Sequence, residues 1–159
     1  MSGDAGRPHF AEISTAFPTV PESVAAARRF VTASLRRFDF SADALEQAAL
    51  VTSELVAIAF AAGRPPIRIR VRSVTDHRAL VEVTHGAEDV PLDEHDDEHD
   101  EESTEWLHLT PAGQAVVDSM ATRWGTRRSG TGELAWFEVD DVPPPGGGAR
   151  PGTAVPQGV

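Results

Sequence analysis

The chain has 159 residues, 40% apolar and 25% charged, the proportions of one globular domain with room for a sizeable core. It has no Cys, no apolar run near the roughly 20 residues of a bilayer span and no basic-then-apolar opening, which excludes disulfides, thiolate chemistry and a membrane partner and predicts a cytoplasmic protein. The net charge of −11 is local: residues 88–105, EDVPLDEHDDEHDEESTE, hold 11 of the 25 acids and no arginine, so phosphates would be repelled there and nucleic acid is not expected as a general partner.

Residues 10–17, FAEISTAF, alternate enough for a short first strand. From Pro21 the period turns helical, with Val24, Ala27, Val31, Leu35 and Phe38 on one stripe and Arg28, Arg29, Arg36 and Arg37 off it. A second helix begins at Ser41, a good N-cap, carries Asp43 in its first turn and stops at Gly63, Pro65 and Pro66. Its core stripe is Leu45, Ala48, Thr52, Leu55 and Ala59. The period then falls to two: IRIRVR sets Ile67, Ile69 and Val71 against Arg68, Arg70 and Arg72, and a turn at Asp76 and His77 leads into ALVEVT, a hairpin partner. Beyond the acidic stretch, a helix is expected over about 112–122, then strands near 123–128 and 134–139 joined by SGTGE. The expected organisation is a flexible arm at 1–9, a domain at 10–140 with a lid-like acidic loop at 88–110, and a disordered Pro/Gly-rich tail at 141–159. The element order predicts a two-layer α+β sandwich, with a mixed, mostly antiparallel sheet backed by helices.

From Phe17 to Val139 the chain resembles the anti-sigma-factor kinases of the histidine-kinase-like ATPase superfamily. The segments that carry the likeness are FPTVPESVAAARRFV, ALVTSELVAIAF, VEVTHGA, GQAVVDSMATRWG and LAWFEV, in this order. The resemblance implies the ATPase-type sandwich fold and an ATP site with bound magnesium. In that family the second helix reads Glu-Leu-Val-x-Asn-Ala, the Glu placed as general base and the Asn holding magnesium. The match here is Glu54-Leu55-Val56-Ala57-Ile58-Ala59, so Glu54 keeps the base position while Ile58 offers magnesium no oxygen. The adenine-binding Asp aligns with His85, followed by a retained Gly86. The phosphate-facing Gly-x-Gly turn reads Pro111-Ala112-Gly113: Gly113 fits, whereas Pro111 has fixed φ and no N–H. The acidic loop would stand where the ATP lid does and repel a triphosphate.

Each of these residues also has a plainer expectation. Glu54 could be a solvated helix residue, Ile58 an extension of the core stripe into a collapsed pocket, and His85 a turn residue. His95-Asp96-Asp97-Glu98-His99 matches the H-x-x-E-H pattern of one zinc-protease class, but it sits in low-complexity acid without a flanking apolar helix or a third ligand. No metal site is expected, and a solvated loop is.

The departures at Ile58, His85, Pro111 and the acidic loop together point away from ATP. The expected function is anti-sigma-type regulation by protein–protein binding, a pseudokinase without cofactor. Its partner would be a sigma factor or an anti-anti-sigma protein, met through Arg28, Arg29, Arg36 and Arg37, and homodimerisation stays open. Two alternatives stand beside it. One is an active serine kinase that phosphorylates an anti-anti-sigma protein with ATP and magnesium. The other is an interaction protein whose acidic loop engages a basic partner.

Overall fold

The computed structural model describes residues 11–62, 65–86, 109–129 and 132–141. The expected arm at 1–9, the 88–105 segment with its H-x-x-E-H match, and all but the first residue of the expected tail at 141–159 lie outside them. Within them the elements run β1 (Glu12–Phe17), α1 (Glu22–Arg37), α2 (Ala42–Ala62), β2 (Ile67–Thr75), β3 (Arg78–His85), α3 (Pro111–Met120), β4 (Arg123–Ser129) and β5 (Gly132–Asp140).

Helix α1 is held at both ends by local chemistry. Ser23 Oγ donates to the Pro18 carbonyl before the first turn, and Glu22 there and Arg36 and Arg37 in the last turn complement the helix dipole. It ends in a Schellman motif. Asp39 takes the left-handed conformation (φ 62°), its N–H reaches the Arg36 carbonyl, and the Phe40 N–H reaches the Leu35 carbonyl. Phe40 and Leu35 are both buried, which supplies the apolar contact that seals this cap. Ser41 then caps α2 as expected, accepting from the Ala44 N–H at 3.3 Å, and its own N–H donates to Asp141 at the end of β5.

The five strands form one sheet in the order β1-β2-β3-β5-β4, with every described pairing antiparallel. This corrects the expected mixed sheet. Period-two patterning fixes which side chains share a face but carries no information on strand direction. Directly opposed residues share a face, so Ile69, Val83 and Ala135 line one side and Arg70, Glu82 and Trp136 the other. The helices cover the first side. Ala27, Val31 and Leu35 of α1 and Ala48, Leu55 and Ala59 of α2 meet Ile67, Ile69, Val81, Val83 and Phe137, all fully buried. The result is a two-layer α+β domain with its core between helices and sheet. Helix α2 has the length and hydropathy to cross a membrane, but its Leu45–Ala59 stripe is spent on this core.

Candidate functional site

The resemblance pointed to α2, the exit of β3 and the start of α3, and the fold sets out these pieces as follows. Thr110 is the N-cap of α3, with Pro111 at the first helical position, where a missing N–H costs nothing. The Thr110 hydroxyl accepts the Gly113 N–H at 3.1 Å, and the Thr110 carbonyl accepts the first intrahelical bond, from Gln114, at 2.9 Å. Leu109 and Thr110 therefore belong to the packed domain, Leu109 lying against the core, which shortens the expected 88–110 loop at its end.

Helix α2 packs against α3, and this brings Glu54 onto Gly113. A Cβ at Gly113 would fall 2.7 Å from Glu54 Oε2, 3.3 Å from Leu109 Cδ2 and 3.4 Å from Thr110 Oγ1. A Cβ there would push the end of the Glu54 side chain aside. The half-buried Glu54 carboxylate thus faces the positive end of α3, a favourable place for a negative charge. The consequence for anion binding follows from counting donors. Pro111 has no N–H and the Gly113 N–H is spent on Thr110, so of the first three residues only Ala112 keeps a donor, and the Glu54 carboxylate stands beside it. A phosphate brought here would meet a like charge.

Ile58 lies one turn beyond Glu54, half-buried and outside the core cluster. The expectation that it extends the core stripe is corrected: the neighbouring Ala59, not Ile58, is in phase with Leu45 and Leu55. His85 is also corrected from turn to strand. It is the last residue of β3, 3% exposed, and pairs across to Ile67 in phase with the apolar face. The turn comes one residue later at Gly86, whose φ of 74° suits glycine. Glu54 and Gly113 are brought into direct contact, whereas His85 and Gly86 sit at the strand end beside the start of β2. Among the described residues, no group of three or more His, Asp or Glu gathers as a metal site.

Arg28, Arg29, Arg36 and Arg37 are all exposed on α1, and none has an ion pair among the described residues. Arg36 lines a groove of about 390 Å³ between α1 and α2, together with Thr32, Phe40, Leu45, Glu46 and Ala49. Leu50, on the same helix, is 40% exposed, high for so apolar a residue. Neither the groove nor Leu50 stood out from the sequence, because a helical stripe shows what is buried and not the cleft between two stripes.

Sequence reasoning also missed what pairs the outward arginines. On the sheet face away from the helices, Glu82 lies between Arg70 (Nε–Oε2 2.5 Å) and Arg72 (3.8 Å). Asp140 accepts two bonds from Arg78 (2.6 and 2.9 Å), and Glu138 two from Arg123 (both 3.0 Å). The acids alternate within VEV and FEVD, so the signal was there, but only the strand register aligns it. The hydrogen bond to Asp140, then its charge, raises the Arg78 pKa above its ordinary value. A raised arginine contributes stability that is complete below its unfolded value and lost only above its folded one, so the shift at Arg78 confers no pH dependence near neutrality. Trp136 lies over Gly125 on the neighbouring strand, its ring atoms 3.0 Å from where a Cβ would sit.

No protein-family model and no curated protein matches this chain, so the functional case rests on its own residues.

Proposed function

We propose that this chain is a cytoplasmic regulator of the anti-sigma-factor type, built on the histidine-kinase-like ATPase fold, that acts by protein–protein binding without using ATP. The observation that carries this is the start of α3, where Pro111 supplies no N–H and the Gly113 N–H is spent on Thr110. In the kinases it resembles, that turn faces the nucleotide phosphates. Here, of the first three residues of α3, only Ala112 keeps an N–H for a phosphate, beside the Glu54 carboxylate that active relatives also carry. Ile58 in place of a metal ligand and His85 in place of the adenine-binding carboxylate add to the case. Each loss costs nucleotide binding on the order of 1–3 kcal/mol, and partial additivity takes a micromolar site to millimolar.

What is left for recognition is α1, with exposed Arg28, Arg29, Arg36 and Arg37, of which Arg36 lines the α1–α2 groove. Guanidinium groups hold carboxylates in a planar fork, which gives orientation as well as charge. The partner is a sigma factor or an anti-anti-sigma protein that presents acidic groups to this helix. Calorimetry with ATP, with and without magnesium, tests the first half, and association with candidate partners tests the second. The expected result is no micromolar ATP binding, and partner binding that needs no nucleotide and weakens in a double Arg28→Glu, Arg29→Glu variant. Micromolar, magnesium-dependent ATP binding would restore the active-kinase alternative.

A further inference from the structure

The groove between α1 and α2 has two walls. Thr32 and Arg36 of α1, with Phe40 just past its end, form one, and Ala42, Leu45, Glu46 and Ala49 of α2 form the other. Phe40 and Leu45, 6% and 7% exposed, give it an apolar floor, and the exposed Arg36 and Glu46 stand at its lips. Neither takes part in an ion pair among the described residues.

The chain leaves the sheet at one end of this groove. Asp141 follows β5, and two hydrogen bonds fix it: its N–H donates to the His77 carbonyl (2.8 Å), and its carboxylate accepts the Ser41 N–H (2.9 Å). Ser41 lies between Phe40 and Ala42, both of which line the groove. The residues after Asp141 are Val142, Pro143, Pro144 and Pro145. We infer that residues 142–145, VPPP, dock in the α1–α2 groove of their own chain as a polyproline II strand.

Three consecutive prolines hold φ at about −65°, so this conformation is favoured before any contact forms and little entropy is lost on docking. The carbonyls of such a strand have no internal partners. A guanidinium, with its fork of N–H donors, supplies them, and an aromatic floor receives the pyrrolidine rings, as in polyproline-binding grooves at large. Arg36 and Phe40 provide both. Length agrees: from Ala42 to Ala49 the α2 wall runs roughly 10 Å, and four residues of polyproline II cover about 12 Å. The tether at Asp141 gives the segment an effective concentration on the order of millimolar, which no free proline-rich peptide shares.

This docking stands apart from the proposed function. With both in place, the docked segment covers Arg36 and leaves Arg28 and Arg29, about two turns back on α1, open to a partner. The chain contains no Cys, so Gly146→Cys creates a single attachment point for a nitroxide on the full chain. In NMR spectra, the amide signals of Thr32, Arg36, Leu45 and Ala49 should lose intensity several-fold relative to the reduced label. Signals of β4, at the far edge of the sheet, should keep theirs. Combining Pro143→Gly, Pro144→Gly and Pro145→Gly removes the rings and the fixed φ but keeps the tether, and should restore the groove signals. Arg36→Ala should lower the ratio of docked to free segment about fivefold. Groove signals that keep their intensity overturn the inference, as does broadening that survives the triple glycine variant, which tethering alone would explain. Docking indifferent to Arg36→Ala overturns the role given to Arg36. Isotope-labelled chain without nitroxide, mixed with unlabelled chain that carries it, separates one chain from two. Groove broadening in that mixture assigns the site to the tail of a second copy and overturns docking within one chain.

Discussion

Replacing Gly113 by Ala tests how Glu54 packs against the start of α3. Gly113 is the third residue of α3, and alanine there gains helix propensity worth at most about 1 kcal/mol, less near a terminus. Against this, the new Cβ would stand 2.7 Å from Glu54 Oε2, so the carboxylate must retreat by several tenths of an ångström; the contacts with Leu109 and Thr110, at 3.3 and 3.4 Å, need little adjustment. The carboxylate is the far end of a flexible side chain, so the cost is chiefly its interaction with the helix end, about 0.3–1 kcal/mol. In the parent, gain and cost nearly cancel, and Gly113→Ala should leave stability unchanged within about 0.5 kcal/mol. In a Glu54→Ala background the cost disappears, and the same substitution should stabilise by about 0.5–1 kcal/mol. Urea unfolding of the four proteins of this double-mutant cycle measures the coupling. Effects that add to within about 0.3 kcal/mol would refute the contact.

Two further outcomes follow from other parts of the fold. Glu82→Ala strips the counter-charge from Arg70 and Arg72, whose side chains are 14% and 25% exposed, and should cost about 2–3 kcal/mol in urea unfolding. This is below the range for a fully buried pair because Glu12 remains nearby, and a loss under about 0.5 kcal/mol would mean that water already screens the pair. Asp39→Gly relieves a left-handed residue at the end of α1 and should stabilise by about 0.5–1 kcal/mol, seen as a raised thermal midpoint; a lowered midpoint would contradict the Schellman geometry.

Much of the fold was legible because its signals are local. Of the α1 stripe, Ala27, Val31 and Leu35 are buried while Val24 and Phe38 at its ends are half-buried, and the α2 stripe Leu45, Ala48, Thr52, Leu55 and Ala59 is buried throughout. The same stripe, read strictly, already left Ile58 out of phase. The alternation Val81, Val83, His85 likewise carried His85 into the strand and left the turn to Gly86. Those two errors came from weighing single residues apart from the period in which they sit. The Schellman turn at Asp39 was hidden for another reason: no glycine marks it, and the burial of Phe40 against Leu35 makes the left-handed residue tolerable.

The candidate site was less legible because it depends on packing between distant segments. Glu54 and Gly113 meet only because α2 and α3 lie together, and no spacing rule connects them; the family resemblance named both positions without saying that they would touch. The outer face of the sheet shows the same division. Alternating arginines in β2 were plain in the sequence, but their partners Glu82, Glu138 and Asp140 acquire meaning only once register sets strand against strand. The two sheet edges follow suit. The arginines of β4 can be read directly, whereas the place of β1 at the other edge rests on its register with β2, Glu12 opposite Arg72 through Phe17 opposite Ile67. A slip of one residue in that register would carry Ile13 and Thr15 to the arginine face of the sheet and Glu12 to the core side.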